Sequence, residues 1–173
     1  DVCIALARSG PGVIKPEWVA TMAKDAIVFA CANPVPEIWP WEATEAGARI
    51  VATGRSDFPN QVNNSLGFPA IFRGVIDVAA RTITDEMCIA AAEELARCKE
   101  GDGLREDAIL PTMDDREVFP REAAAVGLKA IEQGVARKIM TKDELIENAA
   151  RIISRAQKET KTLMEHGVIA DAD

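Results

Sequence analysis

Three short, largely apolar runs alternate with helix signals in the first third of the chain. The runs cover residues 2–7, 27–32 and 49–54, and a segment containing glycine or proline follows each of them. Apolar residues fill the runs continuously instead of alternating with polar ones, which is typical of strands covered on both faces of a parallel sheet. Helices are predicted between the runs, one opening at Pro16 and one over residues 41–45. This order predicts a doubly wound α/β sheet.

Helical spacing dominates the chain after residue 54. We expect Pro69 in the first turn of one helix and Thr84 as the cap of the next. Residues 100–107 are rich in glycine and charge, which predicts an exposed loop after this second helix. The second helix carries apolar residues at the three- and four-residue spacing of an amphipathic helix, at Met87, Ala90, Ala91, Leu95 and Cys98.

Two further helices are predicted in the last third of the chain. Residues 119–136 form an alanine-rich segment, and Thr141 with Glu144 forms a capping box before a helix that reaches Glu165. An apolar stripe runs along this last helix, at Ile146, Ala149, Ile153, Ala156 and Leu163. The stripe needs a partner surface, and it favours a homo-oligomer, either a dimer or a larger assembly.

The predicted sheet has only three strands, and the first begins at residue 2. We therefore expect the chain to be the C-terminal half of a doubly wound (Rossmann-like) parallel sheet followed by C-terminal helices, with the remainder of the protein preceding it. Residues 1–80 would be the second half of the doubly wound domain, and residues 81–173 a helical part packing on it. The alternative is a small stand-alone α/β protein.

The charge of the chain narrows its possible partners. Lys and Arg total 20 and Asp and Glu total 28, so the formal net charge is −8. This balance argues against nucleic-acid binding, which needs clustered positive charge. It also argues against anionic lipid, and the apolar runs are too short to span a bilayer. Four widely spaced cysteines without CxxC pairs indicate reduced thiols in a cytoplasmic protein.

Two missing residue types limit the chemistry. The chain has no tyrosine, and its single histidine, His166, lies near the C-terminus in a charged helical stretch. A Ser-His-Asp or Cys-His centre is therefore not expected, nor is a histidine-rich metal site. If the protein is an enzyme, we expect much of its acid–base equipment outside this chain.

The predicted strand ends carry the candidate binding groups. Ligands of doubly wound sheets bind beyond the carboxyl ends of the strands. Gly10 and Gly12 in the first of these loops would let a ligand approach closely, although an ordinary turn explains them almost as well. Asn33 directly follows the second strand, and its amide could bind a nicotinamide carboxamide, a ribose hydroxyl or a substrate hydroxyl. The alternative for Asn33 is an Asx-turn that shapes the loop.

A cluster of amides follows the third strand. Residues 60–64 hold four side-chain amides just before an apolar helix, where they could bind a carboxylate. Helix capping would account for one of them. Arg55 and Arg73 are possible anion partners or structural salt-bridge residues, the structural role being favoured for Arg73. Asp57 could be a base, or it could shape its loop.

These segments resemble the malic enzymes, in their compact bacterial and archaeal form. The similarity is carried by residues 29–37 (FACANPVPE), 50–64 (IVATGRSDFPNQVNN), 67–74 (GFPAIFRG) and 119–126 (FPREAAAV). It extends over nearly the whole chain, and the TGRSDFPNQVNN stretch is its most specific part. The chain is similar to the C-terminal part of the family's NAD(P)-binding domain.

The resemblance implies an activity and a set of site residues. The family oxidises malate with NAD or NADP and a divalent metal, Mg²⁺ or Mn²⁺, and decarboxylates the intermediate to pyruvate and CO₂. By this resemblance Asn33 would contact the nicotinamide end of the cofactor and the substrate. Asn63 and Asn64 would line the malate pocket, and Ser9 with Gly10 would lie along the dinucleotide.

The resemblance also implies that the chain lacks parts of the site. The family's catalytic tyrosine and lysine, its acidic metal ligands and its GxGxxG loop come from preceding segments, so we expect neither catalytic nor metal-binding residues here. The chain alone is expected to bind dinucleotide poorly and to be inactive. Two other hypotheses are another NAD-dependent dehydrogenase fragment and a non-catalytic helical association module, which would have no need of four amides beside a strand end.

Overall fold

The computed structural model describes residues 1–170, apart from the side chain of Asp102. The chain divides into two compact units, which are described separately below. Unit 1 comprises Asp1–Phe68 and Leu95–Asp115, and unit 2 comprises Pro69–Glu94 and Arg116–Asp173. The boundary after residue 80 between a binding domain and a helical part stays a prediction. Within residues 1–170, no helix combines the length and the apolarity that crossing a membrane requires.

Unit 1 contains the predicted parallel sheet. Its strands are β1 (Val2–Ala5), β2 (Ile27–Ala30) and β3 (Ile50–Thr53), which pair in the order β1-β2-β3. The connections carry short helices, α1 (Pro16–Val19) and α2 (Pro40–Glu45), each with proline in its first turn. Strand, helix and connection order therefore confirm the predicted α/β class.

One face of this sheet is covered and the other is partly open. Val28 and Ala30 of β2 are 0% exposed and pack with Val19 of α1 and Ala43 of α2. Residues on the opposite face of β1 are exposed, with Val2 at 55% and Ile4 at 62%. The prediction that each strand is buried on both faces is therefore wrong for β1, because α1 and α2 pack on only one face of the sheet.

Helix α3 (Asn64–Asp77) begins earlier than the sequence pattern suggests. The Asn63 side-chain oxygen accepts a hydrogen bond from the Ser65 N–H at 3.0 Å, so the amide caps the new helix. Pro69 consequently lies inside α3 and not in its first turn. The prediction for Pro69 is wrong because the asparagine cap fixes the start of the helix five residues upstream.

The remaining helix starts follow their caps. In α4 (Asp85–Asp102) the Met87 N–H donates to the Thr84 hydroxyl at 3.2 Å. This helix includes the beginning of the loop predicted from residue 100. In α6 (Lys142–Glu165) the Glu144 N–H donates to Thr141 and the Thr141 N–H donates to Glu144, which confirms the capping box.

Helix α5 (Val118–Glu132) ends before residue 136, the predicted end. Gly134 has a φ of 69°, a left-handed conformation that stops the helix and that glycine adopts without strain. The Val135 N–H donates back to the Ala130 carbonyl at 3.1 Å, which satisfies a terminal acceptor. The helix is therefore ended by a glycine that the alanine-rich pattern alone does not reveal.

The core of unit 2 is built from helices. Val78, Met87, Val126 and Leu145 are each at most 1% exposed and pack in one cluster. Helix α6 contributes Leu145 and Ala149 to this unit's core, so the first half of its apolar stripe is covered, whereas Leu163 further along is 42% exposed.

A buried acid lies in this helical unit. Glu122 on α5 is 0% exposed, and among the described residues neither of its carboxyl oxygens has a hydrogen-bond partner. A carboxylate without a partner is costly in such surroundings. Burial raises the pKa of Glu122 to about 8, so its side chain is mostly protonated at neutral pH.

The free energy of unfolding is expected to fall by about 2 kcal/mol between pH 6 and pH 8 because of Glu122. The folded pKa lies above the usual 4.5, so the folded protein holds a proton that the unfolded chain has released, and rising pH favours unfolding. Glu122→Gln should remove this component, as measured by urea unfolding at several pH values. Glu132→Gln, an exposed position on the same helix, is the control. An unchanged pH slope in Glu122→Gln would contradict the assignment.

Candidate functional site

The carboxyl ends of the three strands lie at one edge of the sheet in unit 1. Because the strands are parallel and in register, the segments after Ala5, Ala30 and Thr53 leave the sheet on the same side. The last ladder bond between β1 and β2 runs from the Cys31 N–H to the Ala5 carbonyl at 3.0 Å. Beyond it the backbone turns into loops, where ligands of such sheets bind.

Asn33 is exposed at this edge and packs over a glycine. A Cβ atom added at the buried Gly54 would lie 3.3 Å from both amide atoms of Asn33 and 3.3 Å from the Cys31 carbonyl oxygen. The absence of a side chain at position 54 therefore leaves room for the Asn33 amide. The peptide bond between Asn33 and Pro34 is cis.

The Asn33 amide is available to a ligand. Among the described residues it makes no hydrogen bond, and the Val35 N–H that an Asx-turn would use donates instead to the Ser9 hydroxyl at 3.2 Å. The Asx-turn alternative is therefore not what the structure shows. A donor and an acceptor are both presented beside the ends of β2 and β3, which suits a carboxamide or a hydroxyl group.

Two of the four clustered amides shape the backbone. Asn60 is 7% exposed, donates to the Val51 and Glu106 carbonyls at 3.0 and 2.7 Å, and accepts from the Ile109 N–H at 2.9 Å. Asn63 caps α3. Sequence reasoning allowed for one capping amide in this cluster. In the structure Asn63 is that cap, and Asn60 in addition holds three backbone groups together.

Asn64 follows directly and is exposed at the start of α3. The Val62 N–H donates to the Thr53 carbonyl at 2.8 Å, so this segment continues alongside the end of β3 before the helix begins. Within residues 1–170 the Asn64 amide makes no hydrogen bond, whereas the Asn63 amide keeps only its N–H donors free. Substrate binding by Asn63 and Asn64 stays a prediction.

The loop after β1 is tied to the loop after β2. The Ser9 hydroxyl donates to the Val35 carbonyl and accepts from the Val35 N–H, each at 3.2 Å. The Gly10 N–H also donates to the Val35 carbonyl, at 3.1 Å, with a φ of 122° at Gly10. The Ser9 hydroxyl and the Gly10 N–H are therefore already hydrogen-bonded within the loops. Because Gly10 has no side chain, a dinucleotide could still approach its backbone closely. Their cofactor role stays a prediction.

Glu37 is the residue of this region that sequence reasoning missed. Its side chain is 0% exposed and accepts from the Ala7 N–H at 2.7 Å and from the Ala32 N–H at 3.0 Å. Burial, and secondarily the negative charge of Glu37, raise the pKa of the Cys31 thiol, so this cysteine stays protonated at neutral pH. The available signal was a lone acid between Pro36 and Ile38, where a solvated charge is not expected.

Each charged residue considered as an anion partner or as a base forms an ion pair. Arg55 donates to both carboxylate oxygens of Asp57, at 2.7 and 2.6 Å, and to the Pro34 carbonyl at 3.0 Å. The hydrogen bonds from Arg55 lower the pKa of Asp57, which is unsuitable for a base at neutral pH. In α3, Arg73 pairs with Asp77 one turn away, the structural role favoured for it.

An aromatic cluster borders the same loops. The rings of Trp39 and Trp41 stack with centroids 5.0 Å apart, and Phe58 packs edge-on at 6.1 Å from each. The Arg55 guanidinium lies 5.3 Å from the Phe58 ring. Arg55 therefore links this cluster to the backbone that follows Asn33.

The residues at the strand ends suit a planar polar ligand, and among the described residues they form no metal-binding group. The open Asn33 amide over Gly54 provides a place for a polar, planar group at the sheet edge. In the part of the chain that the structure describes, no three His, Cys, Asp or Glu side chains are grouped so that they could hold a metal ion.

Sequence comparison identifies related proteins. A family model described as "Malic enzyme, NAD binding domain" matches residues 7–131. The chain is 48% identical over 152 residues to the bifunctional malic/malolactic enzyme of Bacillus subtilis, covering 88% of this chain and 37% of that protein. It is 51% identical over 138 residues to the NAD-dependent malic enzyme of Geobacillus stearothermophilus, covering 80% of this chain and 28% of that protein.

Solved structures agree with the sequence relatives. The crystal structure of Entamoeba histolytica malic enzyme superposes with a TM-score of 0.96 at 50% identity, covering 100% of this chain and 36% of that chain. The crystal structure of the malic enzyme from Pyrococcus horikoshii superposes with a TM-score of 0.90 at 51% identity, covering 96% of this chain and 38% of that chain. The chain thus spans between 28% and 38% of the length of these four proteins. Fold, sequence and family model agree, and the chain belongs to the malic enzyme family, as part of its NAD-binding domain.

Proposed function

We propose that this chain supplies cofactor- and substrate-binding groups to an enzyme that oxidises malate and decarboxylates the product to pyruvate and CO₂, with reduction of NAD or NADP. The observation that carries the proposal is the open amide of Asn33, held over Gly54 where β2 and β3 end. Relatives are named as NAD-dependent and as NADP-dependent malic enzymes, so both cofactors are tested.

Neutral amides suit the two ligands. Asn33 would bind the nicotinamide end of the cofactor and the substrate, because one carboxamide can donate and accept at once. Asn64, exposed at the first position of α3, would bind malate, with the free N–H donors of Asn63 beside it. The start of a helix favours a negatively charged group, so a malate carboxylate would be stabilised there without a paired arginine. Ser9 and Gly10 would line the dinucleotide.

The rest of the centre would come from other parts of the enzyme. Mg²⁺ or Mn²⁺ would supply Lewis acidity that polarises the substrate oxygen. Its ligands, the acid and base, and the glycine-rich phosphate loop would lie outside this chain. The amides described here would position cofactor and substrate relative to those groups.

The complete enzyme would be a homo-oligomer in the cytoplasm. The exposed apolar half of the α6 stripe favours self-association into a dimer or a larger assembly. The four cysteines are free thiols, which fits a reducing, cytoplasmic environment. The partners would be malate, pyruvate and the preceding part of the same enzyme.

The test is malate-dependent formation of NADH or NADPH by the complete enzyme, with pyruvate and lactate measured as products. Lactate is included because the Bacillus subtilis relative is named for both malic and malolactic activity. Asn64→Ala should lower kcat/KM for malate about tenfold, since one substrate hydrogen bond is lost.

The control is Asn148→Ala, which removes a half-buried amide on α6 that accepts a hydrogen bond from Arg151. It should leave kcat/KM unchanged. No malate-dependent reduction by the wild-type enzyme would overturn the proposed function, and equal turnover of wild type and Asn64→Ala would overturn only the role of Asn64.

A further inference from the structure

We propose that Glu37 is a positioning residue that fixes the loop after β1 against the loop after β2, and so places the Asn33 amide and the Ser9–Gly10 backbone for the dinucleotide. This inference rests on the proposed function. Glu37 itself would not touch the cofactor, because its side chain is 0% exposed. It would act through the two backbone N–H groups that it binds.

The Glu37 carboxylate binds backbone N–H groups just beyond the end of the hydrogen-bonded ladder between β1 and β2. The last backbone bond between β1 and β2 joins Cys31 to the Ala5 carbonyl. Further along, the Ala7 N–H and the Ala32 N–H each donate to a different oxygen of Glu37, at 2.7 and 3.0 Å. Two donors that would otherwise need the facing strand are thus satisfied by one side chain, which lets the loops separate without leaving buried groups unpaired.

A carboxylate suits this position better than any neutral group. It presents two acceptor oxygens and no donor, and both partners here are N–H donors. A negative charge strengthens both hydrogen bonds, and these bonds offset part of the cost of burying the ion. An amide of the same size would turn its own NH₂ group toward one of the two N–H groups, so one contact would be lost and one donor would be left unpaired.

The groups assigned to the cofactor lie next to the backbone groups that Glu37 binds. Ala32 immediately precedes Asn33, so a shift of its N–H moves the amide that packs over Gly54. The loop after β1 is held by bonds from Ser9 and Gly10 to Val35, two residues before Glu37, and by the Ile14 N–H, which donates to the Glu37 carbonyl at 3.1 Å. Displacing the carboxylate therefore loosens both sides of the site together.

The experiment compares Glu37→Gln with Glu42→Gln in the complete enzyme. Glu42 is a matched control because its carboxylate also accepts from a backbone N–H, that of Trp39 at 3.2 Å, but this bond lies at the start of α2 and involves neither Ala7 nor Ala32. We expect both variants to lower the melting temperature. Only Glu37→Gln should raise the Kd for NADH or NADPH, by about tenfold, the loss expected when the shifted loops give up about one hydrogen bond to the cofactor.

The outcomes separate the two proposals. If wild type binds neither dinucleotide, the proposed function fails. If wild type binds and Glu37→Gln binds equally well, or if Glu42→Gln weakens binding as much, the positioning role of Glu37 is overturned and the proposed function stands. Should Glu37→Gln not fold, Glu37→Asp keeps the charge and shortens its reach. Weaker dinucleotide binding by folded Glu37→Asp supports the inference, and unchanged binding overturns it.

Discussion

Replacing Asn33 with alanine is expected to lower kcat/KM for malate about 100-fold in the complete enzyme, because the variant removes the amide that we propose to lie at the reacting end of the cofactor. The structure leaves this amide without an internal hydrogen bond among the described residues and packs it over Gly54 at the strand ends. Its loss should therefore cost little stability, since no internal partner is left unpaired. Steady-state rates of NADH or NADPH formation measure the effect.

Two further variants show which property of Asn33 matters. Asn33→Asp keeps the size but replaces the N–H donor with a charged acceptor, so wild-type turnover in this variant would exclude donation by the Asn33 amide. Gly54→Val adds bulk where a single Cβ already lies 3.3 Å from both amide atoms of Asn33, and it should impair turnover by displacing the amide. Retention of at least a third of the wild-type kcat/KM by folded Asn33→Ala would show that Asn33 is not a positioning group.

Gly74→Ala is expected to lower the free energy of unfolding by about 3 kcal/mol. Helix propensity alone predicts the opposite sign, because alanine is favoured over glycine within a helix by about 1 kcal/mol. A Cβ at Gly74 would lie 2.9 Å from the Val126 Cβ and even closer to the Ala123 carbonyl oxygen. Helix α3 would have to move away from α5, and backbone atoms cannot yield as a flexible side chain can.

Urea unfolding of Gly74→Ala and Gly101→Ala provides the comparison. Gly101 lies within α4, and a Cβ there would meet nothing within 4 Å, so this control should be neutral or slightly stabilising. Equal stability of the two variants would refute the close packing of α3 on α5. Catalytic rates need not change in either variant, because neither glycine belongs to the candidate site.

Local signals predicted the helix starts that depend on neighbouring residues. Thr84 and the pair Thr141–Glu144 cap α4 and α6 as expected, because a cap needs only residues within one turn. Pro69 shows the limit of this reasoning. Its position in a helix depends on which upstream residue caps that helix, and the cap at Asn63 was one of several equivalent polar residues.

Burial could not be read from apolar character alone. Val2 and Ile4 are at least as apolar as Val28 and Ala30, yet only Val28 and Ala30 are fully covered. Coverage depends on which layers pack against the sheet, and that is a tertiary property. The apolar pattern therefore predicted the three strands correctly and overstated the burial of β1.

The candidate site was only partly predictable for a similar reason. The sequence places four amides together but does not distinguish the buried Asn60, with all three of its hydrogen bonds internal, from the exposed Asn64. Glu37 was missed because its two partners are backbone N–H groups, one of which is 30 residues away. Side-chain roles that depend on distant backbone need the fold.

The stacked indoles of Trp39 and Trp41 give the protein a built-in optical reporter. Tryptophan emission overlaps the absorption of reduced nicotinamide, so a dinucleotide bound near the loop that Arg55 connects to Phe58 should quench indole fluorescence and gain sensitised emission of its own. Titrations could then follow occupancy directly, without turnover and without an attached dye.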